Sequence, residues 1–360
     1  MTNPLQQLQD LGQSIWLDSI KRSYLGDDGY LAGLIAAGEI DGLTSNPSIF
    51  EKALADDPDG TYEEQVAELR GTPARDALWA IIKRDLTAAC DLFLPLYRSS
   101  GGTKGFASIE IDPSKAFDTE ATVADGLMLF RDLDRPNLMV KVPGTESGLE
   151  AITRLIAEGV NVNVTLLFDV ARYEAVADAY LEGVRRLRTA GGDLSAVQSV
   201  ASFFVSRVDG KVDAVLGEGS PRVATAAIAN ARVAYRSFRR KFSTPEWEEL
   251  AAAGATLQRP LWASTSTKDP ALPDTLYVDE LAAPDTVNTM PEVTLDAVRD
   301  HGSAEDRVSG TGDEAEDELR TLAEQGVDLP QITKELEADG VEKFVTSFDA
   351  AVDALAERLR

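Results

Sequence analysis

Short apolar runs alternating with longer helical patterns predict an α/β protein: a parallel (β/α)8 TIM barrel with inserted helices and a helical C-terminal extension. Three observations carry that expectation. Eight such runs are spread over residues 14–288. They are almost continuously apolar, as strands are when helices cover one face and a barrel core fills the other. The first run ends at Asp18 and continues as Ser19-Ile20-Lys21-Arg22. It therefore lacks the glycine-rich turn that opens a doubly wound nucleotide-binding sheet, the main alternative topology.

In order, the expected strands are residues 14–18, 42–44, 105–111, 138–142, 161–167, 197–205, 259–264 and 286–288. An insertion at 51–77 follows the second and contains the turn-rich Asp56-Asp57-Pro58-Asp59-Gly60. A helical stretch at 80–96 leads to the third. Amphipathic stretches at 119–133 and 147–157 flank the fourth. The clearest helix is 169–187, with Val170, Tyr173, Val176, Ala177, Tyr180, Leu181 and Val184 at helical spacing. Residues 224–249 are expected to be helical. They carry Arg236, Arg239, Arg240 and Lys241, a charged face of the kind that is usually just solvated. Residues 1–290 are expected to form the catalytic barrel. Residues 291–360 are expected to form an extension packed on it, polar at first, then helical at 332–338 and 342–359.

A chain of 360 residues with 44% hydrophobic content can bury one large core. The formal net charge of −26 argues against nucleic acid or an anionic membrane as partner. It also means that a phosphate-bearing substrate must find a local cationic pocket in a repulsive field. No run of about 20 apolar residues occurs, so no membrane span is expected. The stretch Met1-Thr2-Asn3-Pro4-Leu5-Gln6-Gln7-Leu8 lacks the basic start and apolar core of a secretory signal. The single cysteine, Cys90, allows no intramolecular disulfide, which suits a reducing cytoplasm, and is expected to be a small core residue. His301 is the only histidine, which argues against a Ser-His-Asp triad, a Cys-His pair or a multi-His metal site.

The chemistry begins with Lys141, inside Leu138-Met139-Val140-Lys141-Val142-Pro143. An ammonium group is strongly hydrated, and burying it unpaired is costly. Such a group tends to give up its proton, which leaves an amine that attacks carbonyls. The plainer reading is a lysine whose stem lies along the barrel wall while its head reaches water or a carboxylate. The other strand ends weigh against that reading, because barrel chemistry sits at the C-terminal ends of the strands. Those ends carry Asp18, then Thr44-Ser45-Asn46-Pro47, then Glu110 and Asp112. Asn163 and Thr165 follow on the fifth strand, Ser202 and Arg207 on the sixth. The seventh brings Ser264-Thr265-Ser266 with Lys268 beyond, and the eighth Asn288. Residues two apart share a strand face, which puts Asn161, Asn163 and Thr165 together, and Glu110 with Asp112.

This set permits a specific reaction. A carboxylate with water can shuttle protons while an amine forms and dehydrates a carbinolamine, and Glu110 lies one strand from Lys141. Asp18 can accept a proton from a substrate hydroxyl. The amides of Asn46 and Asn163 can bind polyol hydroxyls, and Arg207 with Ser264 can hold a phosphate. Together these describe Schiff-base cleavage of a carbon–carbon bond in a phosphorylated sugar.

Six segments in order resemble the transaldolases, of the longer bacterial branch. They are Gly42-Leu43-Thr44-Ser45-Asn46-Pro47-Ser48, Ser108-Ile109-Glu110-Ile111-Asp112, Val140-Lys141-Val142-Pro143-Gly144-Thr145, Asn163-Val164-Thr165-Leu166-Leu167-Phe168, Ala201-Ser202-Phe203-Phe204-Val205-Ser206-Arg207 and Trp262-Ala263-Ser264-Thr265. The resemblance implies transfer of a dihydroxyacetone unit from sedoheptulose 7-phosphate to glyceraldehyde 3-phosphate, giving erythrose 4-phosphate and fructose 6-phosphate. It makes Lys141 the Schiff-base lysine and Glu110 the acid/base group, acting through a water held by Thr165. Asp18 would deprotonate the C4 hydroxyl. Asn46, Asn163 and Ser202 would bind the dihydroxyacetone hydroxyls, Phe204 would wall the pocket, and Arg207 and Ser264 would bind phosphate. No metal or organic cofactor is implied, because the protonated imine is the electron sink. Many members place an arginine two residues after the serine matching Ser264. Here that residue is Ser266, and Lys268 is the substitute cation within reach. Two rivals share these residues: a simple aldolase releasing free dihydroxyacetone, and a non-catalytic sugar-phosphate binder.

Overall fold

The computed structural model describes residues 3–217 and 219–360. Eight strands close into one barrel in chain order, every pairing parallel. They are β1 (Gln13–Leu17), β2 (Gly42–Thr44), β3 (Phe106–Glu110), β4 (Leu138–Pro143), β5 (Val162–Leu167), β6 (Ser199–Phe204), β7 (Gln258–Ala263) and β8 (Thr286–Met290). Each coincides with an expected strand to within a few residues. The last closure joins β8 to β1. There the Gln13 side chain donates to the Leu281 carbonyl and the Thr286 hydroxyl, and the Asp18 amide donates to the Met290 carbonyl at 2.9 Å.

The helices before β3 are α1 (Pro4–Leu11), α2 (Tyr30–Ala36), α3 (Pro47–Ala55), α4 (Glu63–Glu68) and α5 (Ala74–Ser99). Those flanking β4 to β8 are α6 (Thr119–Leu133), α7 (Glu146–Ala157), α8 (Val170–Thr189), α9 (Ser206–Leu216), α10 (Ala226–Lys241), α11 (Pro245–Ala252) and α12 (Leu276–Glu280). The remaining three are α13 (Glu292–His301), α14 (Gly312–Glu324) and α15 (Leu329–Arg358). Side chains of Asp118, Thr145 and Asp169 cap α6, α7 and α8 by accepting from first-turn amides that have no partner within the helix. Among the described residues no helix is long and apolar enough to cross a membrane.

Strand parity divides the core. Outward, Phe203 and Trp262 meet edge to face at 6.2 Å, with Tyr173 of α8 against them. Inward, Trp16, Gly42 and Phe106 are register neighbours, and the two rings stack at 6.5 Å. A Cβ on Gly42 would lie 2.4 Å from the Trp16 ring, so a large residue on β1 requires a residue without a side chain on β2. Cys90 is buried in the core, as expected.

Two expectations need correction. The basic face of α10 is ion-paired, not simply solvated. Arg236 meets Asp313 and Glu316, Arg239 meets Asp285, Arg240 meets Glu174, and Lys241 meets Asp178. A strongly acidic surface offers carboxylates to most cations; each exposed pair contributes about 0–1 kcal/mol. The two C-terminal helices expected at 332–338 and 342–359 are one helix, α15. Gly340 does not interrupt it, because the missing side chain is where the helix touches β5: a Cβ there would lie 2.9 Å from the Leu166 side chain. α15 lies against α3, α5 and α9 at the C-terminal end of the barrel. Ser347 bonds Ser48 at 2.8 Å, and Phe348 packs on Trp79 with its ring centroid 5.5 Å away.

Candidate active site

Lys141 faces inward from the middle of β4 and is 4% exposed. Its Nζ donates to the Ser45 carbonyl at 3.2 Å and stands 3.4 Å from Glu110 Oε2, with the Phe344 ring of α15 5.7 Å away. The register of β3 on β4 sets Glu110 beside Lys141, and that of β4 on β5 sets Lys141 beside Asn163. The amine is thus pinned between a carbonyl, a carboxylate and an aromatic ring, and it opens only onto the cavity at the barrel's C-terminal end.

Glu110 is 5% exposed, and neither carboxylate oxygen makes a hydrogen bond within the structure. Burial pushes its pKa up to about 7; the Lys141 charge opposes this and the Asp18 charge adds to it. Thr165 is fully buried, and its hydroxyl also has no partner. The β5 ladder slips between Val164 and Leu167, and Leu166 takes a φ of 62°. A left-handed leucine is costly, and Gly340 of α15 packs against it there. Unpaired buried hydroxyl and carboxylate oxygens are expensive unless something polar joins them, and a water can do so.

Asp18 follows β1. Its Oδ1 accepts from Thr44 Oγ1 at 2.6 Å, and Thr44 in turn contacts Thr289 Oγ1 at 2.7 Å. Ser202 donates to Asn163 Oδ1 at 2.7 Å, and Asn163 donates one N–H to Ser108 at 3.1 Å. Asn46 caps α3 through its side-chain oxygen, which leaves its NH2 group available to a ligand. Phe204 packs against Phe168 with the rings tilted and their centroids 5.2 Å apart, and the Arg207 guanidinium lies over the Phe204 ring at 5.1 Å. Ser264 adopts a φ of 58° and shares a 2.9 Å hydrogen bond with Ser206.

A cavity of ≈ 300 Å³ opens among these residues at the C-terminal end of the barrel. Asp18, Asn46, Lys141, Ser202, Phe204, Arg207, Ser264 and Lys268 all line it. Glu110, Asn163 and Thr165 are buried, Glu110 and Asn163 in register beside Lys141 and Asn163 bonded to Ser202. Ser266 lines it too, but its hydroxyl is tied to Thr294 at 2.7 Å. Burial and the charges of Arg207 and Lys343 lower the Lys268 pKa from its usual value. A larger groove of ≈ 510 Å³ lies between α10 and α14, far from this chemistry, where Arg222 and Arg232 already face Glu318 and Glu280.

Three details depart from expectation. Asp112 does not share the face of Glu110. The strand ends at Glu110, so parity no longer holds, and Asp112 turns aside to Arg75 and Ser114. Asn288 does not reach the cavity either. It accepts from Thr265 at 3.0 Å on the outer face, while the next residue, Thr289, pairs with inward-facing Trp16 and lines the cavity. Finally, Lys52, Lys343 and Phe344 also line the cavity, which nothing in the sequence around them signals. Phe344 looks in sequence like any apolar position of an amphipathic helix.

Among the described residues no cluster of three or more His, Cys, Asp or Glu is arranged to hold a metal ion. His301 is exposed, with Asp274 and Asp300 beside it.

Residues 15–355 match the family described as transaldolase/fructose-6-phosphate aldolase. A protein of Acidothermus cellulolyticus named transaldolase is 50% identical over 370 residues, covering 100% of this chain and 99% of its own. Proteins of the same name from Parafrankia sp. and Thermobifida fusca are each 49% identical over 367 residues, at the same coverage.

Proposed function

The chain belongs to the transaldolase/fructose-6-phosphate aldolase family, it is a transaldolase acting on sugar phosphates, and from that premise we propose which residues carry the reaction and which sugars they serve. The donor is sedoheptulose 7-phosphate or, in reverse, fructose 6-phosphate. The acceptors are glyceraldehyde 3-phosphate and erythrose 4-phosphate.

The Lys141 amine adds to the ketose C2 carbonyl. Glu110, through a water held by Thr165, passes the protons that convert the carbinolamine into an iminium and release water. A carboxyl group that titrates near neutrality suits this work, because it can give and take a proton at the same pH. Asp18 uses its second oxygen, the one not engaged by Thr44, to take the C4 hydroxyl proton as the C3–C4 bond breaks. The bond electrons pass into the iminium, leaving an enamine on Lys141, and the aldose departs. The enamine then attacks the aldehyde carbon of the second aldose, and the steps reverse. Asn46, Ser202 and the remaining N–H of Asn163 hold the dihydroxyacetone hydroxyls. Phe204 walls the cavity, and Arg207, Ser264 and Lys268 take the phosphate. The iminium stores the electron pair, so the mechanism calls for no metal or organic cofactor. We place the enzyme in the cytoplasm, and take residues 1–290 and 291–360 to work as one unit.

One observation carries this reading: a buried lysine amine at the base of a polar cavity, 3.4 Å from a carboxylate raised to about 7. Borohydride with fructose 6-phosphate should reduce the imine and add mass at Lys141. Mass elsewhere, or no mass on active protein, overturns the assignment. In a coupled assay of the four sugar phosphates, steady release of dihydroxyacetone without an acceptor would instead show a plain aldolase.

A further inference from the structure

Cations on this protein are scarce and mostly paired. The chain carries 35 Lys and Arg against 61 Asp and Glu. Among the described residues Lys52, Arg207, Lys268 and Lys343 have no carboxylate within 4 Å, and all four line the same cavity. Arg207 and Lys343 are the two whose charges act on Lys268. These three come from separate parts of the chain: the first turn of α9, the loop after β7, and α15.

We propose that Lys343 of α15 is a third cation of the phosphate end of the cavity, and that it sets the preference for phosphorylated over unphosphorylated substrates. This rests on the sugar-phosphate reading above. Ser266 cannot supply the charge, being a neutral hydroxyl already bonded to Thr294. Arg207 is held over the Phe204 ring, beside Ser264. Lys268 and Lys343 are exposed at the mouth, and the Lys343 charge helps lower the affinity of Lys268 for a proton. Three like charges, none ion-paired to a carboxylate, repel one another, and a phosphate dianion removes that cost on binding. In a protein of net charge −26, such a cluster is also what draws a dianion to this mouth and not away from it. Lys343 precedes Phe344, whose ring stands over Lys141. A phosphate held by Lys343 therefore also seats the helix that roofs the Schiff base, so that binding energy remote from the reacting carbon serves the reaction there.

The test compares Lys343→Ala, Lys343→Arg and Lys334→Ala, the last removing the same charge from an exposed lysine of α15 outside the cavity. In Lys343→Ala the KM for glyceraldehyde 3-phosphate should rise about tenfold or more, with a much smaller change for unphosphorylated glyceraldehyde. Inorganic phosphate should compete with the sugar phosphate in the wild type and about tenfold less tightly in Lys343→Ala. Lys343→Arg should recover most of both effects, and Lys334→Ala should show neither. An unchanged KM and phosphate inhibition in Lys343→Ala, or equal losses in Lys334→Ala, overturns the inference. Borohydride trapping separates the two levels. If Lys343→Ala still gains mass at Lys141, the sugar-phosphate reading stands whatever the KM does. If it loses trapping with dihydroxyacetone, Lys343 serves the amine and the inference fails. A wild type that gains no mass at Lys141 removes the reading and the inference together.

Discussion

The two ends of the cavity are built differently. At the carbonyl end Lys141, Glu110 and Thr165 project from adjacent strands, buried and fixed by the barrel register. At the phosphate end Arg207, Lys268 and Lys343 come from a helix turn, a loop and the C-terminal helix, and two of the three are exposed. Bond-making needs groups held to a fraction of an ångström, which a ladder of backbone hydrogen bonds supplies. A phosphate is a large, symmetrical anion, and mobile cations grip it well enough. The division implies that changes at the carbonyl end strike kcat, whereas changes at the rim strike KM.

The largest effect is expected from Lys141→Met, which keeps an apolar stem and removes the nucleophile. Turnover should fall by roughly 10⁴-fold or more while circular dichroism is unchanged. Retained activity would place the chemistry elsewhere. Glu110→Gln should lower kcat by about 10²–10⁴-fold, read by steady-state kinetics, with KM little altered.

The same variant has a signature in stability. The Glu110 carboxyl is raised from 4.5 to about 7 in the folded protein. The neutral form is the one the fold favours. Its contribution is complete at acid pH and is lost as the pH rises through 7. Relative to wild type, Glu110→Gln should therefore gain about 3 kcal/mol in unfolding free energy between pH 4.5 and pH 8. A flat difference across that range in urea titrations would mean that Glu110 is not desolvated as described.

Thr165→Val keeps the shape and removes the hydroxyl. A kcat lower by about 10–100-fold is expected, since only the orientation of a bridging water is lost. The smallest effect belongs to the rim. Lys268→Ala should raise KM for phosphorylated substrates by about tenfold and move kcat by no more than about threefold. A rim variant that lowered kcat as much as Glu110→Gln does would erase the distinction between the two ends.

The same division governs what could be read from sequence. The strands were visible because residues buried on both faces are apolar throughout, so Asp18, Glu110 and Lys141 showed as polar intrusions at a readable spacing. Asn288 was misplaced because the parity of a strand end is settled by register with its neighbours. It is the pairing of Trp16 with Thr289 that turns Asn288 outward. α15 looked like two helices because a glycine inside a helical pattern reads as a stop; only the contact with Leu166 explains why it is tolerated. Lys343 and Phe344 gave no local signal at all. Their meaning lies in neighbours some 75 to 200 residues away, which no periodicity encodes.

The seam between β1 and β8 has a consequence for how the enzyme comes into being. Gln13 and Thr286, bonded across it, are 273 positions apart. Until those strands meet, two edges of a parallel sheet stand open, each able to recruit the wrong partner. So distant a closure predicts slow refolding. It also means that Asp18, just past the first strand, takes its place beside Met290 only when that seam closes. Recovery of activity after dilution from denaturant should therefore lag behind recovery of helix, with no fractionally active intermediate along the way.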